Sequence, residues 1–211
     1  NLKSEHQRVR ALSRQLTESA EVERKRLAQD LHDMVGQYLA ALGINLNIIQ
    51  NTLPADASER LTGRLHEALS LVERTTECIR GVMADLRPPV LDDYGLYSAL
   101  QWYSERFTKR TGIDVRLVGA PLEPRLASQT EATLFRIAQE TLVNTAKHAK
   151  ASNAEVVLEE VDDVIRLQVT DNGVGFDISK LTGPSDDKGW GLLAIREWVE
   201  ALDGAFDIES A

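Results

Sequence analysis

The chain has 211 residues, 43% hydrophobic and 27% charged, the make-up of a folded protein with one large or two small domains and not of a disordered chain. A net charge of −9, from 24 basic and 33 acidic residues, excludes a general nucleic-acid binder, which needs a basic face. No apolar run is long enough to span a membrane, no signal-peptide pattern opens the chain, and the single Cys78 can neither close an internal disulfide nor build a cysteine metal site.

The charge is unevenly spread: residues 125–211 hold 8 basic and 16 acidic residues, so nearly all the acidity falls in the last third. Two parts with different tasks are expected. An acidic part binds a polyphosphate only with the help of a metal ion and local hydrogen-bond donors. The chain opens on Asn1 rather than methionine, and is expected to be a fragment.

Leu2, Val9 and Leu16 recur every seven residues with Leu12 between them, a short heptad pattern that predicts a coiled coil. From Leu27 the stripe continues through Leu31, Val35, Leu39, Leu42, Leu46 and Ile49 in helical steps, until Asn51-Thr-Leu-Pro54 breaks it. A helix of ~50 residues would be ~75 Å long and unstable alone. A second helix is predicted from about Ser58 to Leu86, striped by Leu61, Leu65, Leu69, Val72, Thr76, Ile79, Val82, Met83 and Leu86, and ended by Pro88-Pro89. One such hairpin has too little core, so two copies are expected to pair into a four-helix bundle, a homodimer.

Beyond the prolines the pattern predicts a helix over 95–110, a strand over 113–118 and a long helix over 127–150. A hairpin follows, Ala154–Val161 and Val164–Thr170 across Asp162-Asp163. Residues 171–189 read as a mobile loop, then a helix from about Leu192 to Leu202 and a strand starting at Ala205, with terminal strands missing. This order implies an α/β sandwich.

Four groups of residues could carry chemistry. In Asp30-Leu31-His32-Asp33-Met34-Val35-Gly36-Gln37, a carboxylate beside the imidazole can take its proton and leave a ring nitrogen free as nucleophile. Asp33 and Gln37, four apart, share a helical face next to His32. Taken alone, the histidine fits a solvated helix face better. Arg136, Glu140, Asn144 and Lys147 fall on one face of the long helix, followed by His148. Such a face could hold Mg²⁺ and phosphate oxygens together, or simply be solvated. Asp171-Asn172-Gly173-Val174-Gly175 after a strand could present a carboxylate to an exocyclic amine, or be an ordinary turn. Gly189-Trp190-Gly191-Leu192 opens a helix, where free backbone N–H groups favour an anion.

In combination and in this order the four groups resemble the sensor histidine kinases of two-component systems, more narrowly the nitrate-sensor subfamily. Glu23–Gln37 looks like the histidine box, Gln139–His148 the asparagine box, Asp171–Gly175 and Gly189–Leu192 the glycine boxes. The connector Leu86-Arg87-Pro88-Pro89-Val90-Leu91 has the look of the subfamily as well. The resemblance implies a coiled coil over 1–22 from an absent upstream sensor, a dimerisation and phosphotransfer domain over 23–90, and a Bergerat-type ATP-binding domain over 91–211 with an incomplete end.

It further implies that His32 is autophosphorylated from ATP and passes the phosphoryl group to an aspartate of a response-regulator receiver domain, itself joined to a helix-turn-helix output domain. Asp33 would be the general base, and Gln37 would position water for dephosphorylating the regulator. Asn144 would coordinate Mg²⁺ with Glu140 beside it, while Lys147 and His148 would contact phosphates. Asp171 would read the adenine amine; Gly173, Gly175, Gly189, Gly191 and Leu192 would shape the pocket. A hinge is expected over Pro88–Tyr94, with regulator contact near Tyr38 and Ala41. The fragment would be cytoplasmic, without direct nucleic-acid binding, and the anchoring of a full-length protein in a membrane is left open. A non-catalytic scaffold, a chaperone-type ATPase and a coiled-coil adaptor are weaker readings, because His32 and Asn144 are both present and residues 125–211 need a purpose.

Overall fold

The computed structural model describes residues 15, 19–54, 57–177 and 190–210, with the Trp190 side chain left aside. Most of the heptad segment and Gly189 therefore lie outside the described residues. The chain divides into two compact units, one over Val22–Pro88 and the other over Pro89–Ala211, to which Glu21 also belongs.

The first unit is a helical hairpin. Helix α1 over 19–30 runs into a π-helical turn, Leu31–Gly36, and then into α2, Gln37–Thr52. After the break around Pro54, α3 spans Glu59–Leu86. Ser58 starts it: at ψ 136 it is outside the helix, and its Oγ accepts the Leu61 N–H at 3.3 Å. Arg87, forced out of the helical region by the following proline, ends it at φ −165, ψ 111.

The helices run antiparallel. Gln50 Nε2 meets His66 Nε2 at 3.3 Å near the loop, while a side-chain carbon on Gly43 would touch Val72 Cγ1 at 3.6 Å further along. The stripe stays half covered. Leu65, Met83 and Ala84 are buried on α3, α2 buries no residue, and Leu42, Ile49, Leu61 and Val82 are exposed.

The second unit is an α/β layer. Pro89 heads a short helical stretch that ends at Gly95, and the helix predicted over 95–110 follows it; the two together are α4, Pro89–Thr111. The sequence shows only that Pro89 cannot continue α3; proline is equally suited to the first position of a new helix. Gly95 kinks α4 at φ 83, ψ −178, a conformation open essentially to glycine alone. Beyond the kink Leu96, Ala99, Leu100, Tyr103 and Phe107 recur at three and four and are all buried.

Strands β1 (Asp114–Gly119), β2 (Asn153–Val161) and β3 (Val164–Asp171) form a sheet in that order, the first pair parallel and the second antiparallel. The β2–β3 turn works as its sequence predicts. Asp162 and Asp163 both take positive φ, 53 and 62, as a two-residue hairpin requires. Between β1 and β2 lies α5, Ser128–Asn144, which continues into a second π-helical turn, Thr145–Ala149. A single helix over 127–150 is thus corrected: its last turn is wider.

Ala154, Val156 and Leu158 point from β2 into the core shared with Phe135, Ala138 and Leu142 of α5 and Phe107 of α4. The opposite face of the sheet is polar, with Arg116–Glu155 at 3.6 Å and Arg166–Glu159 at 3.2 Å. Helix α6, Trp190–Ala201, packs on α5. No strand forms from Ala205. Instead Phe206 lies beneath the Arg196 guanidinium, and Ser210 Oγ accepts the Phe176 N–H at 2.7 Å. The sequence alternates there, but no described strand offers that segment a ladder.

The start of α4 is fastened to the core. Arg125 Nη2 donates to Leu91 O at 3.0 Å and to Glu131 Oε2 at 2.7 Å, while its Nη1 donates to Asp92 O at 3.2 Å. The hydrogen bond it donates to Glu131 holds the guanidinium pKa above its ordinary value. Glu131 Oε1 also accepts the Leu96 N–H at 3.4 Å, capping the helix that resumes after Gly95. Leu91 is 2% exposed. Within the segment expected to hinge, Leu91 is thus packed in the core and the Asp92 carbonyl is fastened, whereas Asp93 and Tyr94 are exposed.

Candidate active site

In the helical unit His32 and Asp33 lie inside the π-helical turn and Gln37 follows it; all three are exposed. The predicted stacking of Asp33 and Gln37 four apart assumes an unbroken α-helix. This turn is wound more widely than an α-helix, and the Gln37 N–H that closes it is bound to Met34 O, three residues back. Gly36 within the turn weakens the α-helical alternative, glycine being ~1 kcal/mol worse than alanine in a helix interior.

In the α/β unit the predicted face of α5 divides. Arg136 leaves it: its Nε donates to Glu21 Oε1 at 2.9 Å with both side chains under a tenth exposed, and its Nη1 donates to Gln139 Oε1. Glu140 and Asn144 stay together, half-buried, against the first turn of α6. A side-chain carbon on Gly191 would overlap Glu140 Oε1 and lie 3.0 Å from Asn144 Nδ2, so a larger residue would have to displace the Glu140 carboxylate. Lys147 and His148 are exposed on the second π-helical turn, and Leu192 is half-buried in α6.

Asp171 ends β3 with both carboxylate oxygens engaged. Oδ1 accepts the Gly173 N–H at 2.8 Å and Oδ2 accepts the Thr145 hydroxyl at 2.9 Å. Val174 N donates to Ala149 O at 2.8 Å, which presses the turn after β3 onto the end of the π-helical turn. Gly173 is needed there, because a side-chain carbon would overlap Ala149 O and come 2.7 Å from Asp171 Oδ1. Gly175 takes φ 62, a left-handed conformation. Asn172 Oδ1 accepts the N–H groups of Ser152 and Asn153, both at 3.0 Å, closing the loop before β2.

Sequence reasoning misses Thr145 and Asn172. Thr145 has a weak signal, a hydroxyl beside Asn144 where the helix otherwise supplies apolar residues. Asn172 is hidden because an Asp-Asn-Gly run reads as a turn whatever its side chains bind.

Chemically the α/β unit offers oxygen and amide ligands at one end of a short path and an oriented carboxylate at the other. Among the described residues no three His, Cys, Asp or Glu side chains gather to hold a metal by themselves. Glu140 and Asn144 carry side-chain oxygens of the kind a hard divalent cation takes.

Comparison with known proteins decides the family. Residues 23–91 match the family described as "Histidine kinase", and residues 129–211 match "Histidine kinase-, DNA gyrase B-, and HSP90-like ATPase". The chain belongs to the histidine kinases. It is 32% identical to the sensor histidine kinase MctS of Rhizobium johnstonii over 97% of its length and 44% of the relative's. It is 31% identical to the signal transduction histidine-protein kinase/phosphatase DegS of Bacillus subtilis, over 92% of its own length and 51% of that protein. To UhpB of Salmonella typhimurium, also named a histidine-protein kinase/phosphatase, it is 32% identical over 99% of its length and 40% of the relative's. The chain thus spans about half the length of the curated relatives it matches. A solved structure of the Erythrobacter litoralis blue-light activated histidine kinase shares the fold, with TM-score 0.50 and 14% identity over 90% of this chain and 56% of that one. No described helix of this histidine kinase is long and apolar enough to cross a membrane.

Proposed function

We propose that this chain is the phosphotransfer and ATP-binding portion of an autophosphorylating kinase in which His32 takes the γ-phosphoryl group of ATP and passes it to an aspartate of a response-regulator receiver domain. The observation that carries the reading is the arrangement on α5 and its π-helical turn. Glu140 and Asn144 stand under the Gly191 backbone, and Thr145, the next residue, meets the Asp171 carboxylate. A nucleotide has the same two ends, charged phosphates and a base carrying an amine.

Phosphoryl transfer asks a protein mainly for positioning and charge neutralisation. Asn144 and Glu140 would hold Mg²⁺, which supplies that neutralisation. Lys147 and His148 would meet phosphate oxygens, and Asp171 would accept from the adenine amine. Gly173, Gly175, Gly189, Gly191 and Leu192 would shape the pocket. Asp33 would take the imidazole proton so that a ring nitrogen of His32 attacks phosphorus as the bond to ADP breaks. Gln37 would position water in the reverse task, dephosphorylation of the regulator. The half-covered stripe of the hairpin would be completed by a second copy, with domains over 23–90 and 91–211.

The test is labelling with radioactive ATP and Mg²⁺, with His32→Gln and Asn144→Ala alongside. Label that resists base, is lost in acid and disappears in both variants is expected. ATP binding without label would favour a non-catalytic scaffold, and label surviving in His32→Gln would place the nucleophile elsewhere.

A further inference from the structure

We infer that Thr145 is a positioning residue for base recognition: its hydroxyl fixes the plane in which the Asp171 carboxylate meets the exocyclic amine of a 6-aminopurine nucleotide. This rests on the proposed role of Asp171 in reading that amine. A carboxylate at the end of a strand turns freely about its last torsion unless both oxygens are held. Here two separate elements hold them. The Gly173 N–H, in the turn after β3, binds Oδ1 at 2.8 Å, and the Thr145 hydroxyl, from the π-helical turn, binds Oδ2 at 2.9 Å.

The hydroxyl has a single proton and two acceptors in reach, Asp171 Oδ2 at 2.9 Å and the Thr141 carbonyl at 3.2 Å. A bond to an ionised acceptor is shorter and about twice as strong as one to a neutral group, so the proton goes to the carboxylate. Thr145 is 3% exposed, which keeps water from competing for it, whereas Asp171 is exposed and open to a ligand. Each carboxylate oxygen has two lone pairs, so one on each remains for the ligand once the two donors are in place.

The same turn also sets the other end of the path. Asn144 immediately precedes Thr145, and the Ala149 carbonyl that closes the turn is bound by Val174 N–H at 2.8 Å. A shift of Thr145 therefore changes the angle at which the base is read without removing any group that would touch it. Loss of the hydroxyl should then weaken recognition of the amine specifically. It should not weaken nucleotide binding in general.

The experiment compares Mg²⁺-ATP with purine riboside 5′-triphosphate, which lacks the 6-amine, by calorimetric titration of the whole chain and of Thr145→Val and Thr145→Ser. The parent should prefer ATP. Thr145→Val should lose about tenfold in ATP affinity, the worth of one charge-assisted hydrogen bond, while its affinity for the deaminated analogue stays within about twofold. Thr145→Ser should keep the preference. Equal weakening for both nucleotides would reduce Thr145 to a structural role and overturn the inference, as would an unchanged preference in Thr145→Val. A parent that does not distinguish the two nucleotides would overturn the reading of Asp171, and this inference with it, before any variant is measured. If the valine variant does not fold, Thr145→Ala carries the same comparison.

Discussion

The two units bury their apolar residues to very different degrees. In the α/β unit Ala99, Ala138, Leu142, Val156 and Leu158 are at zero exposure and Phe107, Phe135 and Leu100 at 1%, a core closed by the chain's own elements. In the hairpin, α2 buries nothing, and Tyr38, Ile44 and Ile48 are 73%, 62% and 54% exposed. A two-helix unit has two faces of each stripe to cover and only one partner helix to cover them. The α/β unit can therefore fold as a self-sufficient body, whereas the hairpin leaves apolar surface that the proposed second copy would cover.

The largest expected effect tests the self-sufficient side. Phe135 is 1% exposed and meets Tyr103 edge to face, with centroids 5.6 Å apart. Phe135→Ala should cost the α/β unit about 3–5 kcal/mol in chemical denaturation, transfer and cavity terms together. Because this core closes within one chain, the loss should be the same at every protein concentration. A concentration-dependent midpoint would mean that this unit also leans on a second copy.

Next in size is the dependent side. Leu42 and Ile49, seven apart on α2, are 47% and 49% exposed. If nothing covers them, each change to alanine should cost well under ~1 kcal/mol, in keeping with surface substitutions. Covered by a second hairpin, each should cost about 2 kcal/mol or more and weaken self-association by tenfold or greater. Sedimentation equilibrium of the double variant Leu42→Ala, Ile49→Ala separates these outcomes, and an unchanged dissociation constant would count against the dimer.

A third change addresses the turn that joins fold and site. Gly173→Ala would set a side-chain carbon into the Ala149 carbonyl, which is backbone and cannot swing aside. Overpacking of this kind costs about 1–3 kcal/mol. Here the displacement falls on the Gly173 N–H that holds Asp171. ATP affinity should drop more than the thermal midpoint does, measured by calorimetric titration beside a melting curve. A lower midpoint with unchanged affinity would detach that turn from the site.

How much of this could be read from the sequence differs between elements for physical reasons. The hairpin helices, the β2–β3 turn and the α/β layering follow from periodicity and from the Asp162-Asp163 pair, because burial on one face imposes those patterns directly. The π-helical turns at Leu31–Gly36 and Thr145–Ala149 do not. A local widening by one residue leaves apolar steps of three and four nearly unchanged, so periodicity does not reveal it. Pro89 is legible as a stop for α3, but its role as the first residue of α4 depends on Arg125 and Glu131, more than thirty residues away, which fasten Leu91 and Leu96 just beyond it.

At the proposed site, the grouping of Glu140 with Asn144 is legible because residues four apart share a helical face. Arg136 misleads, since its partner is Glu21, 115 residues earlier. Thr145 is silent because its one informative bond spans 26 residues.

The smallest effect probes the hairpin without touching its stripe. Ser58 lies outside α3 and its Oγ accepts the Leu61 N–H at 3.3 Å, a donor it shares with its own backbone carbonyl at 2.9 Å. Thr62 N also reaches the Ser58 carbonyl, at 3.2 Å, so part of the cap is backbone and survives a side-chain change. Ser58→Ala should therefore cost only about 0.5–1 kcal/mol, the low end for an N-cap. The same substitution should leave self-association within about twofold, because the lost bond lies at the helix end and removes no apolar surface. Denaturation of the variant at several concentrations checks both values. A cost well above this range would show that the end of the hairpin, and not only its stripe, is held by the second copy, since a partner packed on that turn would amplify the loss of a cap.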